Sequence, residues 1–289
     1  MKLPPFDYAC PATIAEAVDL LAAHGGEAKP LAGGQSLMPM MAFRVALPTL
    51  LVDLRKILDI RQIEITDEGV RLGAMVRWRD ILDDVRLASA HPLLVEAVSH
   101  VAHYQIRNRG TVGGSLAHAD PAAELPGIAV TCDAQISAIG KDGGRIIAAA
   151  DFFVGALSTE LKPDEIITGI RFPAWPARRR FAFQEFAQRR GDFAMSGAAL
   201  FYDLDRAGNA IDAHVGVIGV SDRPQRLSAV ETVLNGRKID DATIAAAVEA
   251  ATAAVSPHDD IHASASYRRS LTGTMVERAL KIAPGRTQC

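Results

Sequence analysis

Cysteine is scarce in this 289-residue sequence, which contains only Cys10, Cys132 and Cys289. The three are widely separated and odd in number, and none belongs to a C-x-x-C pair. They indicate neither a disulfide framework nor an iron–sulfur site, since such a site usually requires four thiolates.

Long apolar runs are absent as well. No stretch of about 20 apolar residues occurs, so a membrane span is not expected, and a hydrophobic content of 49% is typical of a globular protein. The beginning of the chain, MKLPPFDY, lacks the apolar stretch of a secretory signal, and we expect a cytoplasmic location.

The net charge of −3 gives no general attraction to nucleic acid. The basic triplet 178–180 follows Pro173 and Pro176, and we interpret it as a solvated linker.

The common nucleotide-binding motifs are missing, since neither G-x-G-x-x-G nor G-x-x-x-x-G-K-[ST] occurs in the expected context. The chain instead carries two glycine-rich segments, LAGGQSL (31–37) and RNRGTVGGS (107–115). Consecutive N–H groups in a glycine turn can form a concave anion site, and Ser and Thr hydroxyls add donors without bulk. The pair predicts one phosphate-bearing ligand between the two segments but does not identify it.

The hydrophobic pattern divides the chain into three parts and indicates an α+β protein. Residues 1–55 form a small α/β lobe, in which Thr13 and Glu16 are a capping box and TLLVDL (49–54) is a buried parallel strand. Residues 56–176 form a second, mostly antiparallel lobe with hairpins at about 67–69 and 141–144.

The third part, residues 177–289, begins a new pattern. Three strands are predicted before a helical region, with a turn at Gly208 and Asn209 between the last two strands. Helices are predicted near 226–235, 240–254 and 264–283.

Six segments carry a resemblance to a known family, and they run in order over nearly the whole chain. They are AGGQSLMPMM (32–41), LVDL (51–54), RNRGTVGGSLAHADPAAELP (107–126), DEIITGIRFP (164–173), RRGDFA (189–194) and SASYRRSL (264–271). Together they resemble the FAD-binding medium subunit of molybdenum hydroxylases, the family of carbon monoxide and xanthine dehydrogenases. The resemblance implies a two-lobed FAD-binding domain of the vanillyl-alcohol-oxidase (PCMH) type, followed by an α+β domain with a three-stranded antiparallel sheet and a helical bundle.

The resemblance also implies which residues contact FAD. The pyrophosphate contacts would be Leu31, Ala32, Gly33, Gly34, Gln35, Ser36 and Leu37 from the first segment and Thr111, Gly113, Gly114 and Ser115 from the second. The further contacts would be Ala102, Asp120, Glu124, Ile167 and Phe193. Relatives often carry Asp at the position of Glu124, where it meets a flavin hydroxyl, and some carry Lys near the position of Glu185.

Simpler interpretations of several of these residues stay open. Asp120 precedes a proline and is equally suited to a turn, whereas Ile167 and Phe193 would be equally suited to an ordinary core. A metal site at His118, Asp120 and Glu124 is disfavoured, and no metal or catalytic residue is assigned to the chain.

In function, the resemblance implies an electron-transfer subunit. A large subunit would bind the molybdopterin cofactor, a small subunit would carry two 2Fe–2S clusters, and this chain would pass electrons through FAD to an external acceptor. By analogy the complex would be a dimer of heterotrimers. A stand-alone flavin oxidoreductase and a nucleotide-binding assembly protein remain alternatives, and the sequence identifies neither the hydroxylated substrate nor the final acceptor.

Overall fold

A computed structural model describes residues 2–286 of the chain; Met1 and residues 287–289, including Cys289, lie outside the described residues. The first part contains a parallel sheet with the strand order β1-β3-β2. Its elements are β1 (Asp7–Ala9), α1 (Ile14–Ala23), β2 (Ala28–Leu31), α2 (Leu37–Ala42) and β3 (Leu50–Asp53). The predicted buried strand is β3, all four residues of which are buried. The predicted capping box precedes α1, where Glu16 N–H donates to Thr13 Oγ1 at 3.2 Å.

The second part contains a five-stranded antiparallel sheet with the order β4-β5-β10-β6-β7 and a separate β8-β9 hairpin. Its strands are β4 (Ile63–Thr66), β5 (Gly69–Gly73), β6 (Gln135–Gly140), β7 (Gly143–Ala148), β8 (Phe153–Gly155), β9 (Ser158–Thr159) and β10 (Ile166–Pro173). Both predicted hairpins are present, as β4-β5 and β6-β7.

Short helices connect these strands. They are α3 (Trp78–Asp83), α4 (Val85–Ala90), α5 (Pro92–His100), α6 (Tyr104–Arg107), α7 (Val112–His118), α8 (Glu124–Thr131) and α9 (Ala149–Phe152). The apolar periodicity of RWRDILDDVRL predicts one helix, but this stretch forms two helices separated at Asp84. Asp84 has extended backbone angles, and its carboxylate accepts from Arg86 N–H at 3.0 Å. The carboxylate therefore ends one helix and caps the next.

The third part is an antiparallel sheet, order β11-β12-β13-β14, covered by helices. Its elements are β11 (Arg180–Phe186), β12 (Ser196–Leu204), β13 (Ala210–Ile218), β14 (Gln225–Arg226), α10 (Ser228–Leu234), α11 (Asp241–Ala254) and α12 (Ala265–Ile282). The two-residue β14 extends the three strands that the sequence predicted, and the three helices lie where they were expected. In residues 2–286, no helix is long and apolar enough to cross a bilayer.

The third part packs tightly on the other two. Phe181, Phe183 and Phe201 belong to the same buried cluster as the core of the first two parts, while a second cluster lies between the third sheet and its helices. The interface is close enough that a Cβ added at Gly127 would lie 2.4 Å from Ile218 Cγ2.

The interpretation of the basic triplet as a solvated linker is wrong for Arg179. Its side chain is only 11% exposed, and its Cζ lies 4.2 Å from the centroid of the Phe201 ring. The guanidinium also donates to Asp203 and Asp212, at 2.7 Å in each case. An aromatic face and two carboxylates thus hold this cation at the start of the third part.

Candidate functional site

The two glycine-rich segments lie against each other. A Cβ added at Gly33 would lie 2.2 Å from the carbonyl oxygen of Arg109, so the first segment rests directly on the backbone of the second. A Cβ added at Gly114 would lie 3.8 Å from Ala32 Cβ. The structure therefore brings together the two segments between which the sequence predicts a ligand.

The first segment presents hydrogen-bond donors that the protein does not use. Gly34 has φ of +72°, a conformation that favours glycine, and the Gln35 side chain donates to Gly33 O at 3.0 Å and stabilises the turn. Within residues 2–286, the N–H groups of Gly34, Gln35 and Ser36 donate no hydrogen bond. Ser36 stands at the beginning of α2, and its hydroxyl does not cap that helix. These groups remain available to an acceptor outside the chain.

The second segment differs from the expected loop, because Gly113 and Gly114 lie in the first turn of α7. The four N–H groups that follow Thr111 are already bonded. They donate to Val76 O (from Val112, 2.9 Å), Ala74 O (from Gly113, 2.7 Å), Thr111 Oγ1 (from Gly114, 3.2 Å) and Thr111 O (from Ser115, 3.0 Å).

The expectation that main-chain amides of both segments bind the ligand is therefore wrong for residues 112–115 of the second segment. Its glycines serve packing: a Cβ at Gly113 would lie 2.6 Å from Ala74 Cβ. What the second segment can still offer is the hydroxyl of Ser115, which has no hydrogen-bond partner among the described residues, and that of Thr111.

A cavity of about 440 Å³ opens beside the first segment. It is lined by Leu31, Ala32, Gly33, Gly34 and Gln35, which the sequence predicted as contacts, and by Met38, Pro39, Arg55 and Arg109, which it did not. Both arginines stand in segments that were quoted for the resemblance or directly follow one. The prediction missed both arginines because it considered only glycines and hydroxyl groups. Their positive charge was the signal that could have identified them.

The two arginines differ in how their charge is balanced. Arg55 Nε donates to Asp53 Oδ2 at 2.6 Å, and Tyr8 OH donates to the same oxygen at 2.8 Å. Burial alone would raise the pKa of Asp53, but these hydrogen bonds outweigh it and lower that pKa. Arg109 is exposed, and its side chain has no partner in the part of the chain that the structure describes. The cavity thus carries an uncompensated positive charge next to free N–H donors, which suits an anion.

A second group of predicted contacts surrounds the turn before Phe193. Gly191 has φ of +89°, and a Cβ there would lie 2.7 Å from the carbonyl oxygen of Ala102. The Ala102 carbonyl in turn accepts from Arg107 Nη1 at 2.7 Å. Phe193 is 72% exposed, so the interpretation of Phe193 as ordinary core is wrong. An exposed aromatic ring here can cover a flat ligand.

Ile167 behaves differently from Phe193. Ile167 is only 4% exposed and belongs to the buried cluster of the first two parts. It pairs with Ala138 next to an irregularity in the β10–β6 ladder. The side chain is therefore core, and only the main chain of Ile167 could face a ligand.

The acidic residues form a third group. Asp120 Oδ1 accepts from Ala122 N–H at 2.9 Å, as in a turn. Glu124 is the first residue of α8, and burial, followed by the negative charge of Glu185, raises its pKa to about 8. Glu185 Oε1 lies 3.2 Å from His100 Nδ1. Glu124 and Glu185 are therefore electrostatically linked across the boundary between β11 and the preceding parts.

Comparison with known proteins identifies the family of this chain. Residues 4–175 match the FAD-binding domain in molybdopterin dehydrogenase, and residues 181–283 match the carbon monoxide dehydrogenase flavoprotein C-terminal domain. The chain is 39% identical over 280 residues to subunit alpha of the 6-hydroxypseudooxynicotine dehydrogenase complex of Paenarthrobacter nicotinovorans (97% of this chain, 95% of that protein). It is 35% identical over 283 residues to the carbon monoxide dehydrogenase medium chain of Afipia carboxidovorans (98% of each).

Solved structures agree with the sequence matches. A chain of carbon monoxide dehydrogenase from Hydrogenophaga pseudoflava superposes with a TM-score of 0.96 at 35% identity, covering 99% of this chain and 100% of that one. A chain of quinoline 2-oxidoreductase from Pseudomonas putida 86 gives 0.94 at 36% identity, covering 99% of both. The chain therefore belongs to the family of FAD-binding medium subunits of molybdenum hydroxylases.

Proposed function

We propose that this chain binds FAD with the diphosphate in the cavity between segments 31–37 and 107–115. The observation that carries the proposal is that Gly34 and Gln35, whose N–H groups are free, line the same cavity as the unpaired cation of Arg109, and that the free N–H of Ser36 comes next in the chain. A diphosphate bound in a groove that excludes most water needs positive charge to compensate its own and hydrogen-bond donors that point at its oxygens. No metal is required when both are present.

The proposed contacts keep the residues that the family resemblance implies and add two more. The diphosphate contacts are Leu31, Ala32, Gly33, Gly34, Gln35, Ser36, Leu37, Thr111 and Ser115, with Arg55 and Arg109 as the added charges, and Gly113 and Gly114 support them by close packing. Toward the rest of the cofactor we place Ala102, Asp120, Glu124, Ile167 and Phe193. Bound FAD would supply one- and two-electron chemistry, while the protein holds and orients it.

We further propose that the chain works within a complex as a carrier of electrons. A large molybdopterin-binding subunit and a small subunit with two 2Fe–2S clusters are the partners, and the assembly is a dimer of heterotrimers in the cytoplasm. Support comes from relatives that are named as subunits or medium chains and from the cysteine content. Three scattered cysteines are too few for two clusters, which take four thiolates each.

The division into residues 1–55, 56–176 and 177–289 is proposed as the domain organisation that builds this site. Its support is that each of the three larger sheets falls within one part. In this arrangement the first two parts supply the two glycine-rich segments, and the third supplies Phe193.

The diphosphate placement is tested with Arg109→Ala and two ligands. We expect affinity for FAD to fall about tenfold, the low end for a charge-assisted hydrogen bond because Arg109 is exposed. Affinity for riboflavin, which has no phosphate, should not change. Fluorescence titration measures both, with Arg178→Ala, another exposed arginine, as the control. Equal losses for FAD and riboflavin would contradict the placement.

The assembly is tested by metal analysis. Protein purified from its native source should carry molybdenum and iron in proportion to flavin, whereas the chain produced alone should carry neither metal. Native protein with flavin but no molybdenum or iron would favour the stand-alone oxidoreductase.

A further inference from the structure

The last of the six family segments, SASYRRSL (264–271), has no role in the proposed binding of FAD, yet it contains an arginine that the protein buries. Arg268 lies near the beginning of α12 and is only 7% exposed. Buried charges are retained where they are paired and hydrogen-bonded. The hydrogen bonds of this guanidinium therefore indicate what the segment does.

Arg268 joins three parts of the chain that are distant from one another in the sequence. Its Nη1 donates to the carbonyl oxygens of Met195, at 2.8 Å, and Gly219, at 2.7 Å. Its Nη2 donates to Asp260 Oδ2 at 2.6 Å. The carboxylate of Asp260 is itself fixed, because its other oxygen accepts from the N–H groups of residues 262–263. The guanidinium therefore has a defined orientation.

The two carbonyls lie side by side at one end of the third sheet. Met195 directly precedes β12, and Gly219 directly follows β13. Gly219 has φ of +74°, and a Cβ there would lie 2.5 Å from the carbonyl oxygen of Ala194 and 3.1 Å from that of Met195. Because no side chain fits at this crossing, the two backbone segments meet directly and one guanidinium reaches both.

The segment of Met195 carries one of the proposed flavin contacts. Met195 N–H donates to Phe186 O at 2.8 Å, and this hydrogen bond closes the loop between β11 and β12. Phe193 lies in that loop, shortly before Met195. Arg268 therefore holds the carbonyl end of the loop, while Phe186 holds its amide end.

The segment of Gly219 leads to the acidic contacts. Gly219 N–H donates to Pro121 O at 2.9 Å, which joins the end of β13 to the turn before α8. Asp120 is the neighbour of Pro121, and Glu124 is the first residue of α8. One buried side chain is thus connected, through main-chain groups, to both segments.

We propose that Arg268 is a positioning residue for the flavin end of the cofactor. Through two carbonyl oxygens it holds the loop of Phe193 against the turn of Asp120. The inference rests on the proposed function, which places Phe193 and Asp120 at the flavin. A guanidinium suits this task, because its planar fork of N–H donors can serve two carbonyls and a carboxylate at once. The compact ammonium of a lysine cannot reproduce that geometry.

The first experiment measures amide hydrogen exchange in the chain without flavin. Arg268→Met keeps an apolar stem but no donor. In this variant the amides of Met195 and Gly219 should exchange about tenfold faster or more, because charge-assisted hydrogen bonds to both segments are lost. Both amides are hydrogen-bonded in the wild type and therefore have protection to lose. Arg268→Lys should give an intermediate rate, and the amides of β3 should not change unless the whole chain is destabilised.

Thr272→Val is the matched control. Thr272 lies one turn further along α12 and is fully buried, and its Oγ1 lies 3.2 Å from Ser196 Oγ on β12. This variant weakens the contact between the same helix and strand but leaves Arg268 in place, so exchange at Met195 and Gly219 should match the wild type. Equally fast exchange in this control, or unchanged exchange in Arg268→Met, would overturn the proposal.

The second experiment compares two ligands by calorimetry. Arg268→Met should lower the affinity for riboflavin, which contains the flavin ring, about tenfold, because the loop of Phe193 is no longer preorganised. The affinity for ADP, which has the diphosphate but no flavin, should not change. Equal losses for riboflavin and ADP would show a general structural role and would overturn the proposal. Failure of the wild type to bind either ligand would count against the proposed function, whereas the exchange result requires no ligand.

Discussion

Gly33→Ala is the sharpest perturbation of the site, because the side chain of Gly33 is excluded by the protein itself. The added Cβ would lie 2.2 Å from Arg109 O, 2.9 Å from Arg109 C and 2.9 Å from Gly110 Cα. A relaxed contact between carbon and a carbonyl oxygen is about 3.3–3.6 Å. The two segments would have to separate by about 1 Å, and since all three atoms are backbone, no rotamer change can relieve the contact.

The cost follows from that separation. Overpacking of this kind typically costs about 1–3 kcal/mol. For a domain of 150–250 residues, each kcal/mol lowers Tm by about 2–4 °C, so we expect a fall of roughly 2–12 °C. The separation also moves the free N–H groups of Gly34, Gln35 and Ser36 away from Arg109. A displacement of this size should weaken FAD binding by about tenfold or more, equivalent to about 1.4 kcal/mol.

The assay is thermal unfolding with and without saturating FAD, together with a fluorescence titration. Gly144→Ala is the matched control: Gly144 has no positive φ, and its added Cβ would meet only Ala138 O, at 3.7 Å. The control should bind FAD as the wild type does. If Gly33→Ala bound FAD with wild-type affinity and unfolded at the wild-type temperature, the contact between the two segments would not be what builds the site.

Three further predictions concern stability. Arg179→Leu removes the partner of Asp203 and Asp212 and should lower the free energy of unfolding, measured in urea, by about 1–3 kcal/mol. The control Arg178→Ala should leave that free energy unchanged. Folding raises the pKa of Glu124 from 4.5 to about 8, so the folded state binds more protons and wild-type stability falls as pH rises through that window. Glu124→Gln should therefore be more stable than wild type by up to about 3 kcal/mol at pH 7, with the difference vanishing near pH 4; a constant difference in Tm across this range would contradict the shift. Asp84→Ala should cost about 1 kcal/mol by removing the cap of α4, and an unchanged midpoint in denaturant would show that the cap is dispensable.

Local patterns were sufficient for much of the fold. The capping box at Thr13 and Glu16, the buried strand β3 and the hairpin β4-β5 depend on residues that are close in the sequence, and each is present as predicted. The break at Asp84 also had a local signal, an acidic residue able to cap the following turn, which the apolar periodicity of the stretch concealed.

Features that depend on distant residues could not be predicted in this way. Arg179 follows two prolines in a basic triplet and is typical of a solvated linker, yet Phe201, Asp203 and Asp212 surround it from more than 20 residues away. Likewise, the hydrogen bond from Gly113 N–H to Ala74 O uses an amide that looks free in the sequence. Sequence patterns show which groups a segment contains but not which of them the fold has already used.

That distinction changes how the two glycine-rich segments are understood. Gly34 is needed for its backbone conformation, whereas Gly33 and Gly113 are needed because other parts of the chain occupy the space of a side chain. Since the amides of Val112, Gly113, Gly114 and Ser115 are bonded within the protein, the consecutive free N–H donors are those of Gly34, Gln35 and Ser36 on the first segment. The second segment contributes the cation of Arg109 and a rigid support for the first. Binding of an anion here is therefore asymmetric, and a substitution that shifts the first segment should affect it more than one that removes a single hydroxyl from the second.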